Sequence, residues 1–259
     1  MKYFLLHFRY LIAGGLLTLI PYHPASAEVQ IHSGDTIAFL GDSITKQGSI
    51  PTGWCGLVVS GLEKAGVDAS PINAGKGGHT SRDMVNRYEA DVIARKPTWM
   101  ILMCGTNDNP NHGLSLEESE KNVNVMVEKA RSSGIKVLVA TRPMRGGDTT
   151  ENAYNAFLRN SAQKQGVLLA DVFAAMKNAQ ENFRKEHPDA PPDAPFLTIA
   201  DGTHMNPRGN QVIAECILST LGLSPEQIAS VKADWPDPNQ IKGLSQEETS
   251  KDAAPAGGM

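Results

Sequence analysis

A serine lies where an apolar segment of the chain ends in a turn. Gly41, Asp42 and Ser43 directly follow the apolar run 36–40, which has the composition of a buried strand. Strand ends on the carboxyl side of a parallel sheet open onto the crevice where α/β proteins bind ligands. Glycine, aspartate and serine are also common in ordinary turns. Ser43 is therefore a candidate nucleophile whose assignment depends on partners elsewhere in the chain.

A histidine and a carboxylate that could activate this serine lie close together late in the chain. Asp201 precedes His204 by three residues in a turn-like segment. A serine hydroxyl is a poor nucleophile until a base takes its proton. In a turn, the three-residue offset brings both side chains to one side, where the carboxylate can orient the imidazole and stabilise the imidazolium. Ser43, His204 and Asp201 thus have the residue types of a catalytic triad, although His204 could also be an ordinary loop residue.

Two more segments carry groups that could bind a developing oxyanion. The first is the glycine-rich segment 73–78, and the second is the segment 105–108, which contains Asn107. Tetrahedral intermediates of acyl transfer need preorganised N–H donors, which backbone amides and asparagine side chains supply. Because Asn107 follows a predicted strand, its amide could face the same crevice as Ser43. Taken singly, either segment could be a simple turn or loop.

Taken together, these segments resemble the sequence blocks of the SGNH (GDSL) hydrolases, a family named for a serine, a glycine, an asparagine and a histidine. The matching segments are 41–43, 73–78, 105–108 and 201–204. They occur in the order of the family's blocks and at family-like spacing, and with their flanking residues they span positions 39–206. The resemblance implies a serine hydrolase that acts on carboxylic esters.

The resemblance also implies which groups form the oxyanion hole. They are the backbone N–H of the serine, the backbone N–H of Gly78 and the side-chain amide of Asn107. Gly78 is assigned because it lies five residues after Asn73, where the family's oxyanion glycine falls. Gly75 and Gly77 are close alternatives.

Short apolar runs alternate with helical patterns along the chain, which is typical of βαβ units around a parallel sheet. The predicted strands are 36–40, 69–73, 99–104, 136–141 and 167–171. The predicted helices are 55–65, 81–95, 116–132, 152–165, 173–185 and a last one at 207–221. We therefore predict a three-layer α/β/α fold with a mostly parallel sheet of about five strands, the flavodoxin-like fold that the resemblance implies.

The ends of the chain differ from its centre. Residues 1–27 have the pattern of a cleavable signal peptide, with early positive charges, an apolar stretch at 11–20 and a small-residue cleavage site. That stretch is short for a membrane anchor, which needs about 18 apolar residues. Residues 28–242 are predicted to form one hydrolase domain, and residues 243–259, which are nearly devoid of apolar side chains, a disordered tail. We expect a periplasmic or secreted protein with no stable membrane insertion.

Charge and cysteine content exclude some classes of function. The chain has 24 Lys and Arg residues against 28 Asp and Glu residues, and loss of two basic residues with the signal leaves 22 against 28, a formal charge of −6. Nothing indicates a nucleic-acid partner. The three cysteines, at 55, 104 and 216, allow at most one disulfide and are otherwise small core residues. We expect no cofactor and no metal, since the sequence has neither an H-x-H nor an H-E-x-x-H motif.

Three further residues are candidates for substrate binding. His79 directly follows the oxyanion glycine and could line the pocket. Arg142 and Arg145 lie in the loop after the fourth predicted strand, where they could bind an acidic sugar because arginine pairs bidentately with carboxylates. A solvated loop is the alternative for both arginines.

The expected function is hydrolysis of short acyl esters, acetyl esters on carbohydrate foremost. An exported location and the absence of an apolar lid favour a polar substrate with a short acyl chain, either a small molecule or a carbohydrate. Lysophospholipases and thioesterases of the same family remain alternatives. So does a non-catalytic glycan-binding protein on the same scaffold, because a fold does not fix a function.

Overall fold

The computed structural model describes residues 29–146, 148, 152–191 and 196–238. The predicted signal peptide and the predicted tail lie outside these residues. A five-stranded, wholly parallel sheet with the order β2-β1-β3-β4-β5 forms the centre of the fold. Its strands are β1 Thr36–Gly41, β2 Ser70–Gly75, β3 Trp99–Met103, β4 Lys136–Ala140 and β5 Leu168–Ala170.

Helices cover both faces of the sheet. Those of the described chain are α1 Ser43–Gly48, α2 Trp54–Lys64, α3 Ser81–Asp91, α4 Leu116–Ser132, α5 Ala153–Gln165, α6 Val172–Glu186, α7 Pro207–Thr220 and α8 Pro225–Ala233. Helices α2, α6, α7 and α8 pack into one apolar cluster, and α3, α4 and α5 pack into the other. The predicted three-layer α/β/α fold is confirmed.

The central strands β1, β3 and β4 are largely apolar because both of their faces are buried. In β1, Ile37 and Phe39 point into the first cluster, whereas Ala38 and Leu40 point into the second. Successive side chains of a strand point to opposite faces, so a strand covered on both sides reads as a continuous apolar run. This pattern made the three central strands predictable, whereas the edge strand β2 has exposed residues at Ser70, Pro71 and Asn73.

Several predicted boundaries were wrong. The helix predicted at 81–95 ends at Asp91, and a separate 3-10 turn, Ile93–Arg95, follows it. The strand predicted at 69–73 runs instead over Ser70–Gly75. Helix α7 is not the last helix, because α8 follows it. Helix α8 begins with a proline and a Ser224–Gln227 capping box, which is a recognisable sequence signal for a helix start.

The order of the strands places a crevice at the ends of β1 and β3. The chain leaves β1 toward β2 on one side and then crosses to β3 on the other side, from which it continues outward to β4 and β5. Ligands of open α/β sheets bind where the strand order reverses in this way, at the carboxyl ends of the strands. The segments that contain Ser43 and Asn107 directly follow these two strands.

Candidate active site

Ser43 is the first residue of α1, immediately after the turn that ends β1. Asp42 caps this helix, and its carboxylate accepts the N–H of Ile44 at 2.9 Å. The turn requires glycine at position 41, since an added Cβ would collide with the side chain of Thr45 and would lie 2.6 Å from the carbonyl oxygen of Met103. The sheet therefore fixes where the serine emerges, while Ser43 itself stays partly exposed.

The structure brings Ser43, His204 and Asp201 into one hydrogen-bonded chain. Nε2 of His204 lies 2.8 Å from Oγ of Ser43, and Nδ1 of His204 lies 2.6 Å from Oδ2 of Asp201. The other carboxylate oxygen of Asp201 accepts the backbone N–H groups of Thr203 at 2.8 Å and of His204 at 2.9 Å. Burial opposes ionisation of this carboxyl, but the hydrogen bonds from His204 and Thr203 outweigh it and lower the pKa of Asp201. An ionised Asp201 is suited to orient the imidazole and to stabilise an imidazolium.

A short set of contacts holds the turn that carries Asp201 and His204. Thr198 and Met205 form an isolated antiparallel bridge on either side of it. The N–H of Gly146 donates to the carbonyl of Gly202 at 2.6 Å, so the loop after β4 contacts the turn directly. Arg145 adds a side-chain hydrogen bond to the hydroxyl of Thr203 at 3.0 Å.

Gly78 and Ser43 both present backbone N–H groups that have no hydrogen-bond partner within the described part of the chain. Gly78 has φ +74°, in the left-handed region that favours glycine. A Cβ built there would meet nothing within 4 Å, so the backbone conformation rather than crowding favours glycine. Unpaired N–H groups of this kind are the donors that an oxyanion hole requires.

Asn107 lies in the turn after β3 and is connected to the Gly78 loop. Its side-chain amide donates to the carbonyl of His79 at 3.0 Å, which leaves its second N–H for another acceptor. Nδ1 of His112 lies 2.6 Å from the carbonyl oxygen of Asn107. The carboxylate of Asp108 accepts the N–H of Ser81 at 2.8 Å, which ties the same turn to the start of α3. The ends of β2 and β3 are thus joined above the sheet.

The three residues predicted to bind substrate have different surroundings. His79 is half-buried, its Nδ1 has no partner among the described residues, and burial, together with the positive charges of Arg87 and Lys76, lowers its pKa. Arg142 is buried, and its guanidinium bonds to Asp148 at 3.1 Å. Arg145 reaches the turn of the predicted triad, as described above.

The environment of Asp42, the residue before the serine, was not predicted from the sequence. Asp42 is only 2% exposed, and burial raises its pKa to about 6 against opposing hydrogen bonds from Ile44 and Thr106. Arg87, a residue of α3 that bonds to the ends of β1 and β2, was not predicted either. The signal available for Arg87 was its spacing from Asp91, with which it forms an i,i+4 ion pair at 2.7 Å.

The described residues contain no group of three histidine, cysteine, aspartate or glutamate side chains that could hold a metal ion. All three cysteines are free, with Cys55 and Cys104 buried and Cys216 partly buried. No helix within the described ranges is long and apolar enough to cross a bilayer.

Comparison with known proteins gives concordant matches. A model of the GDSL-like lipase/acylhydrolase family matches residues 39–212. An acetylxylan esterase of Geobacillus stearothermophilus is 25% identical over 226 residues, which cover 75% of this chain and 97% of that enzyme. Its crystal structure superposes with a TM-score of 0.65 over the same shares of the two chains. Solved catalytic mutants of that esterase replace a serine, an aspartate or a histidine.

Two other relatives match a smaller part of the chain. Esterase TesA of Pseudomonas aeruginosa is 30% identical over 133 residues, which cover 51% of this chain and 63% of TesA. Lipoprotein YqeF of Bacillus subtilis is 26% identical over 175 residues, which cover 56% of this chain and 71% of YqeF.

Proposed function

Because this chain belongs to the GDSL-like lipase/acylhydrolase family and is a carboxylic ester hydrolase, we propose that it is an exported serine esterase that removes short acyl groups, acetyl foremost, from carbohydrate. The observation that carries the proposal is the chain of short contacts from Oγ of Ser43 through His204 to Asp201, at 2.8 and 2.6 Å. In this mechanism Ser43 is the nucleophile, His204 the general base and Asp201 the residue that orients the base.

The proposed reaction proceeds through an acyl-enzyme. Nε2 of His204 takes the hydroxyl proton of Ser43 while Oγ forms a bond to the carbonyl carbon of the ester. Collapse of the tetrahedral intermediate breaks the bond to the sugar oxygen, which receives the proton from His204. Water, whose proton passes to His204, then attacks the acyl carbon, and collapse of the second tetrahedral intermediate breaks the bond to Oγ of Ser43, which takes the proton from His204 as the acid product leaves. No metal takes part, so dialysis against EDTA is expected to leave activity unchanged.

The developing oxyanion is assigned to three donors: the N–H of Ser43, the N–H of Gly78 and the side-chain amide of Asn107. The two backbone groups have no partner in the described chain, and the amide of Asn107 is oriented by its bond to the carbonyl of His79 at 3.0 Å. A donor that is fixed before the reaction stabilises the transition state without a reorganisation cost.

The acetyl-carbohydrate assignment draws on the acetylxylan esterase, which this chain matches over nearly that enzyme's whole length. His79, Arg142 and Arg145 are proposed to contact the sugar. Arg145 can do so only beside its bond to Thr203, and Arg142 only beside its pair with Asp148. Each guanidinium can donate further hydrogen bonds to a carboxylate on the sugar, because arginine has five N–H donors and pairs bidentately with carboxylates.

Export is part of the proposal. Residues 1–27 are proposed to be a signal peptide, and a lipoprotein among the relatives supports an exported location. Amino-terminal sequencing of the mature protein from its native host should begin near Glu28.

The test is a substrate panel with Ser43→Ala as the matched control. Acetylated xylo-oligosaccharides, short p-nitrophenyl esters, a lysophospholipid and an acyl thioester are compared by kcat/KM. We expect acetyl esters of the oligosaccharides to rank first and Ser43→Ala to lower kcat by roughly 10⁴-fold or more with the fold retained. A folded Ser43→Ala enzyme with near wild-type turnover would overturn the mechanism. A preference for the lysophospholipid or the thioester would overturn the substrate assignment, and glycan binding without turnover would favour a binding protein.

A further inference from the structure

Arg87 joins the ends of the two strands that precede the nucleophile and the Gly78 loop. Its side chain extends from α3 and is only 9% exposed. Nη1 donates to the carbonyl of Ala74 at 2.7 Å and to Oδ2 of Asp91 at 2.7 Å. Nη2 donates to the carbonyl of Gly41 at 2.8 Å. One guanidinium thus reaches both β1 and β2.

These carbonyls lie at functionally important positions. Gly41 is the last residue of β1, two positions before Ser43. Ala74 lies next to the end of β2, four positions before Gly78. The parallel ladder pairs Gly41 with Gly75 but does not continue into the turns that follow. A further bond, from the N–H of Lys76 to the carbonyl of Gly41 at 3.2 Å, connects the same two turns.

An ion-pair network holds Arg87 in place. Asp91 accepts from Arg87 and also pairs with Nζ of Lys76 at 3.0 Å. Burial disfavours the charge on Asp91, but its hydrogen bonds with Arg87 and Lys76 outweigh burial and lower its pKa. Lys76 belongs to the glycine-rich segment 73–78. The network therefore connects Arg87, through Asp91, to the segment that carries Gly78. The planar, forked guanidinium can serve three acceptors at once, whereas the ammonium group of a lysine is a compact point charge on a flexible stem.

We propose that Arg87 is a positioning residue for the oxyanion hole: through the carbonyls of Gly41 and Ala74 it keeps the N–H groups of Ser43 and Gly78 in a fixed relation. It acts through the backbone and does not touch the substrate. The proposal rests on the proposed function in one respect, namely that these N–H groups bind the oxyanion. A small displacement of such donors is costly, because a misplacement of about 1 Å can lower the rate roughly 10²-fold.

The experiment compares Arg87→Met and Arg87→Lys with a matched control, Arg159→Met. Arg159 forms an ion pair with Asp171 that has similarly short contacts, 2.7 and 2.8 Å, but is more exposed, and it lies three strands away from β1. Assays of kcat and KM on a short acetyl ester are run well below the unfolding temperature of each variant. We expect Arg87→Met to lower kcat by about 30- to 100-fold with KM changed less than twofold, Arg87→Lys to recover part of kcat, and Arg159→Met to keep kcat within about twofold while losing thermal stability.

A second measurement does not depend on turnover. Amide hydrogen exchange should become faster in segments 41–44 and 74–78 of Arg87→Met and remain unchanged around Asp201 and His204. A variant that keeps wild-type kcat, or that loses kcat only in proportion to its unfolded fraction as Arg159→Met does, would overturn the positioning role. If Arg87→Met does not fold, Asp91→Asn replaces it: weakening of the carboxylate anchor that holds Arg87 should lower kcat a few-fold, and unchanged kcat together with unchanged exchange would overturn the proposal. A wild-type enzyme without esterase activity would instead contradict the proposed function.

Discussion

Ser43, Gly78 and Asn107 follow the ends of three adjacent strands, whereas Asp201 and His204 lie in an irregular segment before α7. The first group, here the sheet half, is held by the parallel ladder, by the close approach at Gly41 and by Arg87. The second group, the loop half, is held by the bridge between Thr198 and Met205 and by contacts from the loop after β4. The sheet therefore sets the positions of the proposed nucleophile and oxyanion donors, while a few separate hydrogen bonds set the position of the proposed base.

The largest expected effect in this comparison comes from the loop half itself. In Asp201→Asn the side-chain amide can donate to Nδ1 of His204 but cannot stabilise an imidazolium, so the base is left in the wrong tautomer. We expect kcat to fall by roughly 10³- to 10⁴-fold with little change in KM. Steady-state kinetics on a short p-nitrophenyl ester would measure both values, and His204→Ala should be at least as impaired. Full activity in folded His204→Ala would show that the base lies elsewhere, and His79 would be the next candidate.

The next effect tests the sheet half. Asn107→Ala removes the proposed side-chain donor and should lower kcat by about 10²- to 10³-fold, which is the usual cost of losing one oxyanion donor. Asn111→Ala is the matched control, because Asn111 lies in the neighbouring 3-10 turn, Pro110–His112, and is exposed. Equal activity in the two variants would exclude Asn107 from the oxyanion hole.

The two halves also differ in how much of them the sequence could predict. The predicted strands overlap all five strands of the sheet, and the residues of the proposed triad stood out because their types and order are specific. Helix α1 was missed since six residues are too few to show a helical period. Arg87 could not be assigned to Gly41 from sequence, because the bond spans 46 residues and depends on how α3 packs against the sheet. The contact between Arg145 and Thr203, 58 residues apart, was unpredictable for the same reason.

The third prediction concerns two carboxyls near the proposed nucleophile, those of Asp42 and Asp201. Burial raises the pKa of Asp42 to about 6, whereas hydrogen bonds lower that of Asp201. Since the pKa of an aspartate in an unfolded chain is about 3.9, folding favours protonated Asp42, and its contribution to stability is lost as pH rises from about 4 to 6. In Asp42→Asn the side chain at this position cannot ionise. Between pH 5 and pH 8, the free energy of unfolding of this variant should therefore fall by about 1.4 kcal/mol less than that of the wild type. Urea unfolding at both pH values would measure it. An unchanged drop would mean that Asp42 is ionised at little cost.

The smallest expected effect distinguishes two roles for Arg145. Its bond to the hydroxyl of Thr203 at 3.0 Å is exposed and has a neutral acceptor, so the contact should contribute only about 1 kcal/mol. If Arg145 steadies the loop half, Arg145→Met and Thr203→Val should each lower kcat by less than about tenfold. The double variant should then be no worse than either single variant, because the effects of removing the two partners of one hydrogen bond are not additive.

If Arg145 instead binds an acidic sugar, Arg145→Met should raise KM for a substrate that carries a carboxylate and leave KM for a neutral acetyl ester unchanged. Thr203→Val should not reproduce this shift in KM. Kinetics of the three variants on the two substrates separate these outcomes. Additive losses in kcat would contradict the bracing role and weaken the contrast between the two halves.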